Sequence, residues 1–143
     1  HLYAYEYEGE YYLIPGVEDA LIPSFKKYME KVNRSRDISN ADSIRIALQT
    51  ALSDIDAYES FYKSDVDNEY VILSETGMAK VPAAFRKEFD AVLGEYPEVK
   101  YIKDGYDKFA FKLDVESNTC TVYVTNGSDF VEISPDIDYD FYF

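Results

Sequence analysis

The chain has 143 residues, of which 47% are hydrophobic, enough for one domain with its own core. Asp and Glu number 28 against 14 Lys and Arg. We therefore expect no direct nucleic-acid binding, which needs a cationic surface. The single cysteine excludes an intrachain disulfide and a Cys-based zinc site, and a Ser-His-Asp site would have to use His1 at the terminus. This composition favours a binding or structural role over an enzyme.

Residues 1–16 form a Tyr-rich N-terminal arm with a composition of its own. Tyr3, Tyr5 and Tyr7 alternate with other residues, a period of two that favours a strand. Pro15-Gly16 predicts a turn at the end of the arm. Two interpretations remain open. The arm is either an edge strand or irregular segment without a binding role, or an adhesive Tyr-rich segment that binds a partner.

The period changes to that of a helix over residues 17–62. A first apolar series consists of Leu21, Phe25, Tyr28 and Val32, and a second consists of Ala41, Ile44, Leu48, Ala51, Ile55 and Tyr58. The phase slips between the two series, where Ser39-x-x-Asp42 resembles a capping box. The pattern predicts either one long helix with a bend near Asp37–Ser39 or two helices end to end.

The charges of this helix and of the C-terminal part are unlike each other. Basic residues concentrate in the helix at Lys26, Lys27, Lys31, Arg34, Arg36 and Arg45, whereas residues 113–143 contain no Lys or Arg at all. A molecule with one basic end and one acidic end can stack on copies of itself. The other interpretation is that these charges are solvated faces without a partner.

Residues 63–143 predict an α/β region and an antiparallel sheet. Pro82 and Gly94 bracket a short helix, and Asp104-Gly105 and Asn126-Gly127 predict tight turns. A short apolar run covers 70–73, and strands joined by tight turns are predicted near 99–102, 109–115, 120–124 and 130–133. The predicted fold class is α+β, with a long N-terminal helix packed on a four-stranded antiparallel meander.

The acidic residues Asp136, Asp138 and Asp140 would share one face of a strand. Such a row is a candidate calcium site, and it is equally the acidic edge strand that discourages aggregation. Beyond this row we predict no catalytic, metal or cofactor-binding residue, and no cofactor.

Two segments resemble type IV pilins and pseudopilins, particularly the Gram-positive pilins: residues 21–31, LIPSFKKYMEK, and residues 35–49, SRDISNADSIRIALQ. In that family an apolar stretch ends in a proline and is followed by an aromatic residue and a basic amphipathic helix. Val99-Lys100-Tyr101 and Phe109-Ala110-Phe111-Lys112 are also similar. The resemblance covers roughly residues 20–134. It departs from the family before Pro23, where about 20 apolar anchor residues are replaced by a polar, Tyr-rich stretch.

The resemblance implies a non-enzymatic structural subunit of a type IV pilus or related pseudopilus, which polymerises through its N-terminal helix. Its partners would be copies of itself or other pilin-like subunits, and the assembly machinery at the membrane. Its place would be the bacterial cell surface or an extracellular filament, with a membrane anchor before assembly if a native apolar N-terminus exists. The candidate assembly surface comprises Pro23, Phe25, Lys26, Lys27, Tyr28, Lys31, Arg34 and Arg36. The alternative is an acidic or Tyr-rich binding module, either an adhesin or a DNA-mimic decoy.

Overall fold

The computed structural model describes the backbone of residues 2–7, 10–15 and 21–143, and the side chains from Ser24 onward. The described helices are α1 (Leu21–Leu52), α2 (Ile55–Phe61), α3 (Glu75–Met78), α4 (Ala83–Leu93) and α5 (Tyr139–Tyr142). The strands are β1 (Leu2–Tyr7), β2 (Glu10–Pro15), β3 (Tyr70–Ile72), β4 (Lys108–Asp114), β5 (Thr119–Thr125) and β6 (Phe130–Ser134). The predicted class, α+β with a long N-terminal helix and a four-stranded antiparallel sheet, is confirmed.

Helix α1 is continuous over 32 residues, about 48 Å at the usual rise per residue. The alternative of two helices joined end to end and the capping box at Ser39-x-x-Asp42 are therefore wrong, because Asp37 is buried and the helix continues unbroken through this region. The break comes later, after Leu52. Helix α2 begins behind Asp54, whose Oδ1 accepts the N–H of Ala57 at 2.9 Å as an N-cap.

The four-stranded sheet has the order β3-β4-β5-β6, with every neighbouring pair antiparallel. The predicted turn at Asn126-Gly127 joins β5 to β6, and Gly127 adopts a φ of +99° there. The predicted strand at 99–102 is wrong. Only an isolated bridge between Lys103 and Tyr106 forms around Asp104-Gly105. The fourth strand is β3, which reaches β4 through α3 and α4 instead of a tight turn.

One face of the sheet packs against α1, and α4 packs against α1 and α2. Helix α1 contributes Ala41, Ile44, Ala47, Leu48 and Ala51 to the core, all fully buried. Alanines on this face let the helix backbone come close to its neighbours. Helix α4 begins after Pro82 and ends before Gly94, as predicted, and it adds Phe85 and Phe89 to the core.

Strands β1 and β2 pair antiparallel, from Leu2 opposite Pro15 to Tyr7 opposite Glu10. The period of two therefore corresponds to strand structure, in two strands where the sequence suggested one. The side chains of this arm lie outside the described residues, as does Gly16 of the predicted turn. The proposed Tyr-rich binding role of the arm stays a prediction.

Candidate functional site

The candidate assembly surface lies on the basic segment, which we define as residues 24–36 of α1. None of the side chains of residues 24–32 is buried, and Asn33 is the first buried position among the side chains of α1 that the structure describes. Tyr28 is 61% exposed, and four cations are exposed, namely Lys26, Lys27, Lys31 and Arg36. Residues 24–32 of α1 are therefore at most half-buried, and they present cations to solvent.

A shallow groove of about 390 Å³ runs along this segment and is lined by Tyr28, Lys31, Val32, Ser35, Arg36 and Ser39. These residues recur at spacings of three and four, which place them on one side of the helix. Phe25 is half-buried. Pro23 belongs to α1, and its side chain lies outside the described residues. The structure thus brings Tyr28, Lys31 and Arg36 of the predicted surface together.

Arg34 is a predicted assembly residue that the structure places differently. Its guanidinium carbon lies 5.2 Å from the ring centroid of Tyr101 and 5.6 Å from that of Phe143. The side chain is half-buried, and its Nε has no hydrogen-bond partner among the described residues. Arg34 therefore belongs to an intramolecular cation–π contact that attaches the C-terminal helix to α1.

Asp37 follows one turn later and fixes a distant loop to the helix. It is fully buried. Its Oδ1 accepts the N–H of Lys100 at 2.7 Å, and its Oδ2 accepts the N–H of Tyr101 at 2.8 Å. Burial raises the pKa of Asp37, and the two backbone N–H groups oppose that rise. These hydrogen bonds engage the N–H groups of Lys100 and Tyr101, which are therefore not available for pairing with a neighbouring strand.

The acidic row Asp136, Asp138 and Asp140 does not lie on a strand, so that prediction is wrong. Strand β6 ends at Ser134, before Pro135. Asp138 is the N-cap of α5, and its Oδ1 accepts the N–H of Phe141 at 3.1 Å. Among the residues that the structure describes, no group of three or more His, Cys, Asp or Glu side chains could hold a metal ion.

The acidic C-terminal helix is not at the opposite end of the molecule from the basic helix. The Nζ of Lys103 donates to the carbonyl oxygen of Phe141 at 2.7 Å and lies 4.9 Å from its ring centroid. Phe143, which follows α5, contacts Arg34 of α1, so the acidic C-terminal residues lie beside the basic helix. The simple picture of one basic and one acidic end is therefore wrong for this part of the chain.

A second polar contact joins α1 to strand β6. The Nε of Arg45 donates to Ser134 Oγ at 3.0 Å, and this hydroxyl donates to Asp42 Oδ1 at 2.7 Å. Cys120 lies on the adjacent strand and is buried. Burial raises the pKa of its thiol to about 11, although the charge of Arg45 acts in the opposite direction. Arg45 is therefore engaged within the molecule, as Arg34 is.

The sheet face turned away from α1 carries an aromatic cluster that the sequence did not reveal, formed by Tyr70, Tyr123 and Phe130. The rings of Tyr70 and Phe130 stack with centroids 4.0 Å apart, and Tyr123 meets Tyr70 edge-on at 5.1 Å. Ala110 is buried but lies outside the main core. It is flanked on the neighbouring strands by Ile72 and Tyr123, whose larger side chains shield it.

Beside this cluster lies a cavity of about 520 Å³, within the range of about 300–1,000 Å³ that is typical of small-molecule sites. Its described lining is Val66, Tyr70, Val71, Ile72, Ser74, Thr76, Gly77, Lys80, Lys108, Asn126, Gly127 and Phe130. The sequence did contain one indication of this cavity, namely aromatic residues at strand positions that alternate with the core-facing positions. Their convergence depends on strand order, which local patterns do not give.

Comparison with models of known protein families, with curated proteins and with solved structures found no match. Within the described part of the chain, no helix combines the length and the apolar character needed to cross a membrane.

Proposed function

We propose that this chain is a non-enzymatic structural subunit of a type IV pilus or related pseudopilus filament, which polymerises through the N-terminal half of α1. The proposal is supported by the resemblance of residues 21–31 and 35–49 to pilins. It is also supported by the arrangement of a long N-terminal helix on a four-stranded antiparallel sheet. Its partners are copies of itself or other pilin-like subunits, and the assembly machinery at the membrane.

The observation that carries the proposal is the lack of any buried side chain over residues 24–32. A stretch of nine helical residues without a fully buried side chain leaves a surface that another subunit can cover. Tyr28 supplies apolar area there, and Lys31 and Arg36 supply charge along the same groove. Apolar area with cations at its rim suits a contact between two proteins.

Charge limits where a second copy can make contact. The net charge of −14 opposes association between copies over their whole surface, so the contact has to be local, with the cations of the basic segment facing acidic side chains of another subunit. Contacts that do not close by rotation produce helical filaments. In this proposal the protein acts at the bacterial cell surface or in an extracellular filament, and it does not bind nucleic acid directly.

The test is made in the source cells with the natural protein, by immunogold electron microscopy using antibody against residues 39–143. The test variant combines Lys27→Glu with Lys31→Glu, which reverses two exposed charges one turn apart in the basic segment. The matched control combines Lys63→Glu with Lys87→Glu, two exposed lysines outside that segment. The overall charge changes equally in the two variants.

We expect labelled filaments from wild-type and control cells, and at least tenfold fewer from the test variant at an equal cellular level of the protein. Label confined to the cytoplasm of wild-type cells would overturn the proposal. So would normal filament number and length in the test variant.

A second function, an adhesin-type binding module, is favoured by the aromatic-lined cavity beside β3. It is compatible with the first, since a filament subunit can also bind a surface.

A further inference from the structure

We propose that the cavity beside β3 is a binding site for an acidic sugar, a pyranose ring that carries a carboxylate such as a hexuronate. The proposal concerns a different surface from the basic segment of α1 and does not depend on filament assembly.

The charge of the cavity is the first argument. Asp and Glu outnumber Lys and Arg by two to one in the chain, yet the described lining contains Lys80 and Lys108 and no acidic residue. Lys108 Nζ lies 3.6 Å from Asp107 Oδ1, whereas Lys80 makes no ion pair within the described ranges. Two ammonium groups in a concave site of an acidic protein favour an anionic ligand.

The hydrogen-bonding groups of the cavity are the second argument. Asn126 Oδ1 already accepts the N–H groups of Ser128 and Asp129, at 2.9 and 2.8 Å. Its amide NH₂ therefore stays available as a donor. Ser74 Oγ accepts the N–H of Gly77 at 3.0 Å, which leaves its own proton for donation. Donors thus predominate, as a ligand with a carboxylate and several hydroxyl oxygens requires.

The aromatic wall is the third argument. Tyr70 covers one face of the Phe130 ring at 4.0 Å and fixes its orientation, and both rings line the cavity. A rigid ring offers apolar contact area at low entropic cost. A pyranose has one face made of C–H groups that packs on such a ring, while its hydroxyls point outward to polar groups. An aromatic wall with donors around it therefore fits a sugar better than an inorganic anion.

The test is a titration of the ¹⁵N-labelled chain followed by NMR, with glucuronate as the probe. Glucose serves as the neutral ring and acetate as the anion without a ring. We expect saturable shifts of amides around the cavity with glucuronate, and a dissociation constant on the order of 1 mM for a ligand of this size. Glucose is expected to bind at least fivefold more weakly, and acetate is expected to give no localised shifts.

Variants locate the site. Lys80→Gln and Lys108→Gln are each expected to weaken glucuronate binding about fivefold, the effect of losing one partly exposed charge contact. Lys87→Gln removes an exposed lysine of α4 outside the cavity and is expected to leave binding unchanged. Phe130→Leu keeps an apolar side chain but removes the ring, and it is expected to weaken glucuronate and glucose alike.

Equal binding of glucose and glucuronate would overturn the role of the lysines, and so would Lys80→Gln and Lys108→Gln variants with wild-type affinity. Acetate shifts at the same amides, with the same affinity as glucuronate, would show a nonspecific anion effect and overturn the sugar site. The lysine variants alter exposed side chains, so they test the proposal even if Phe130→Leu does not fold.

Discussion

The two halves of α1 share one unbroken helix but are stabilised differently. From Asn33 onward the helix has a buried face, with Ile44 and Leu48 fully enclosed. Over residues 24–32 no side chain is fully buried, although Phe25, Met29 and Val32 are half-buried, so packing stabilises this half less than the docked half. Most helical stability in proteins comes from packing of an apolar face.

This difference shows that helical structure alone does not identify the part of a helix that supports the domain. The docked half should determine folding, and the basic segment should determine contacts with other molecules. Substitutions can separate these two roles. A change in the docked half should lower the free energy of unfolding, whereas a change in the basic segment should reduce filament assembly.

The largest effect is expected from Leu48→Ala in the docked half. Loss of a fully buried Leu side chain and the cavity it leaves should lower the free energy of unfolding by about 2–5 kcal/mol. Ile46→Ala is the matched control, because Ile46 lies two residues away and is 53% exposed. Urea unfolding followed by circular dichroism measures both. Equal losses in the two variants would contradict the assignment of the buried face.

Asp37→Ala should follow, with a loss of about 2 kcal/mol in the free energy of unfolding, since it leaves two part-buried backbone N–H groups without their acceptors. Asp37→Asn keeps one acceptor oxygen and should lose about half as much. Chemical denaturation at neutral pH measures both variants. A loss below about 0.5 kcal/mol for Asp37→Ala would refute the role of Asp37 in holding the 99–102 segment.

The pH dependence of this site has a definite sign. Burial raises the pKa of Asp37 above its ordinary value of 3.8, so the folded state binds a proton more readily than the unfolded state. Protonation of Asp37 therefore stabilises the folded state relative to the unfolded state. The full effect is present below pH 3.8 and is lost as the pH rises through the raised pKa. The stability of wild type relative to Asp37→Asn should therefore fall with rising pH. Chemical denaturation of the two proteins across the acidic pH range measures this difference in the free energy of unfolding. A difference that rises with pH would contradict the prediction.

Arg34→Met should cost about 0.5–1 kcal/mol, the usual range for an exposed cation–π contact. The methionine keeps apolar contact with Tyr101 and Phe143 but removes the charge. Thermal unfolding measures this loss, and Arg34→Lys should recover part of it. If Arg34→Met instead abolished filament formation at unchanged stability, Arg34 would belong to the assembly surface.

The smallest effect is expected from Tyr28→Ala in the basic segment, which should change the free energy of unfolding by less than about 0.5 kcal/mol. Tyr28 is 61% exposed, so little burial is lost within the subunit. Urea unfolding tests this expectation, with Leu48→Ala as the reference for a buried position. A loss above about 1 kcal/mol would mean that this half of the helix is docked in the domain.

Local patterns in the sequence predicted much of the fold, since β4, β5, β6 and α4 depend on alternation and on nearby Pro and Gly residues. They failed at Asp37 because its partners are the backbone N–H groups of Lys100 and Tyr101, 63 and 64 residues away. The slip in phase near Asp37 was interpreted as a bend or a helix end, whereas the distant N–H donors allow Asp37 to be buried in a continuous helix.

The same reasoning applies to the two candidate sites. The exposed cations of α1 could be named from the sequence because they are close together in one helix. The cluster of Tyr70, Tyr123 and Phe130 could not, because Tyr70 lies on β3, whose place beside β4 in the sheet the sequence did not predict. The break before α2 could have been predicted from the local sequence, since Asp54 is a residue type that is common at N-cap positions.

The burial of Cys120 has a practical consequence for the study of assembly. The chain has one thiol, and this thiol is enclosed and has a pKa of about 11, so it reacts slowly with maleimides near neutral pH. A cysteine introduced at Ser43, which is exposed and lies outside the groove of the basic segment, would therefore accept a dye or spin label selectively, without prior removal of the native residue. Distances between labels on neighbouring subunits could then be measured in an otherwise unaltered chain.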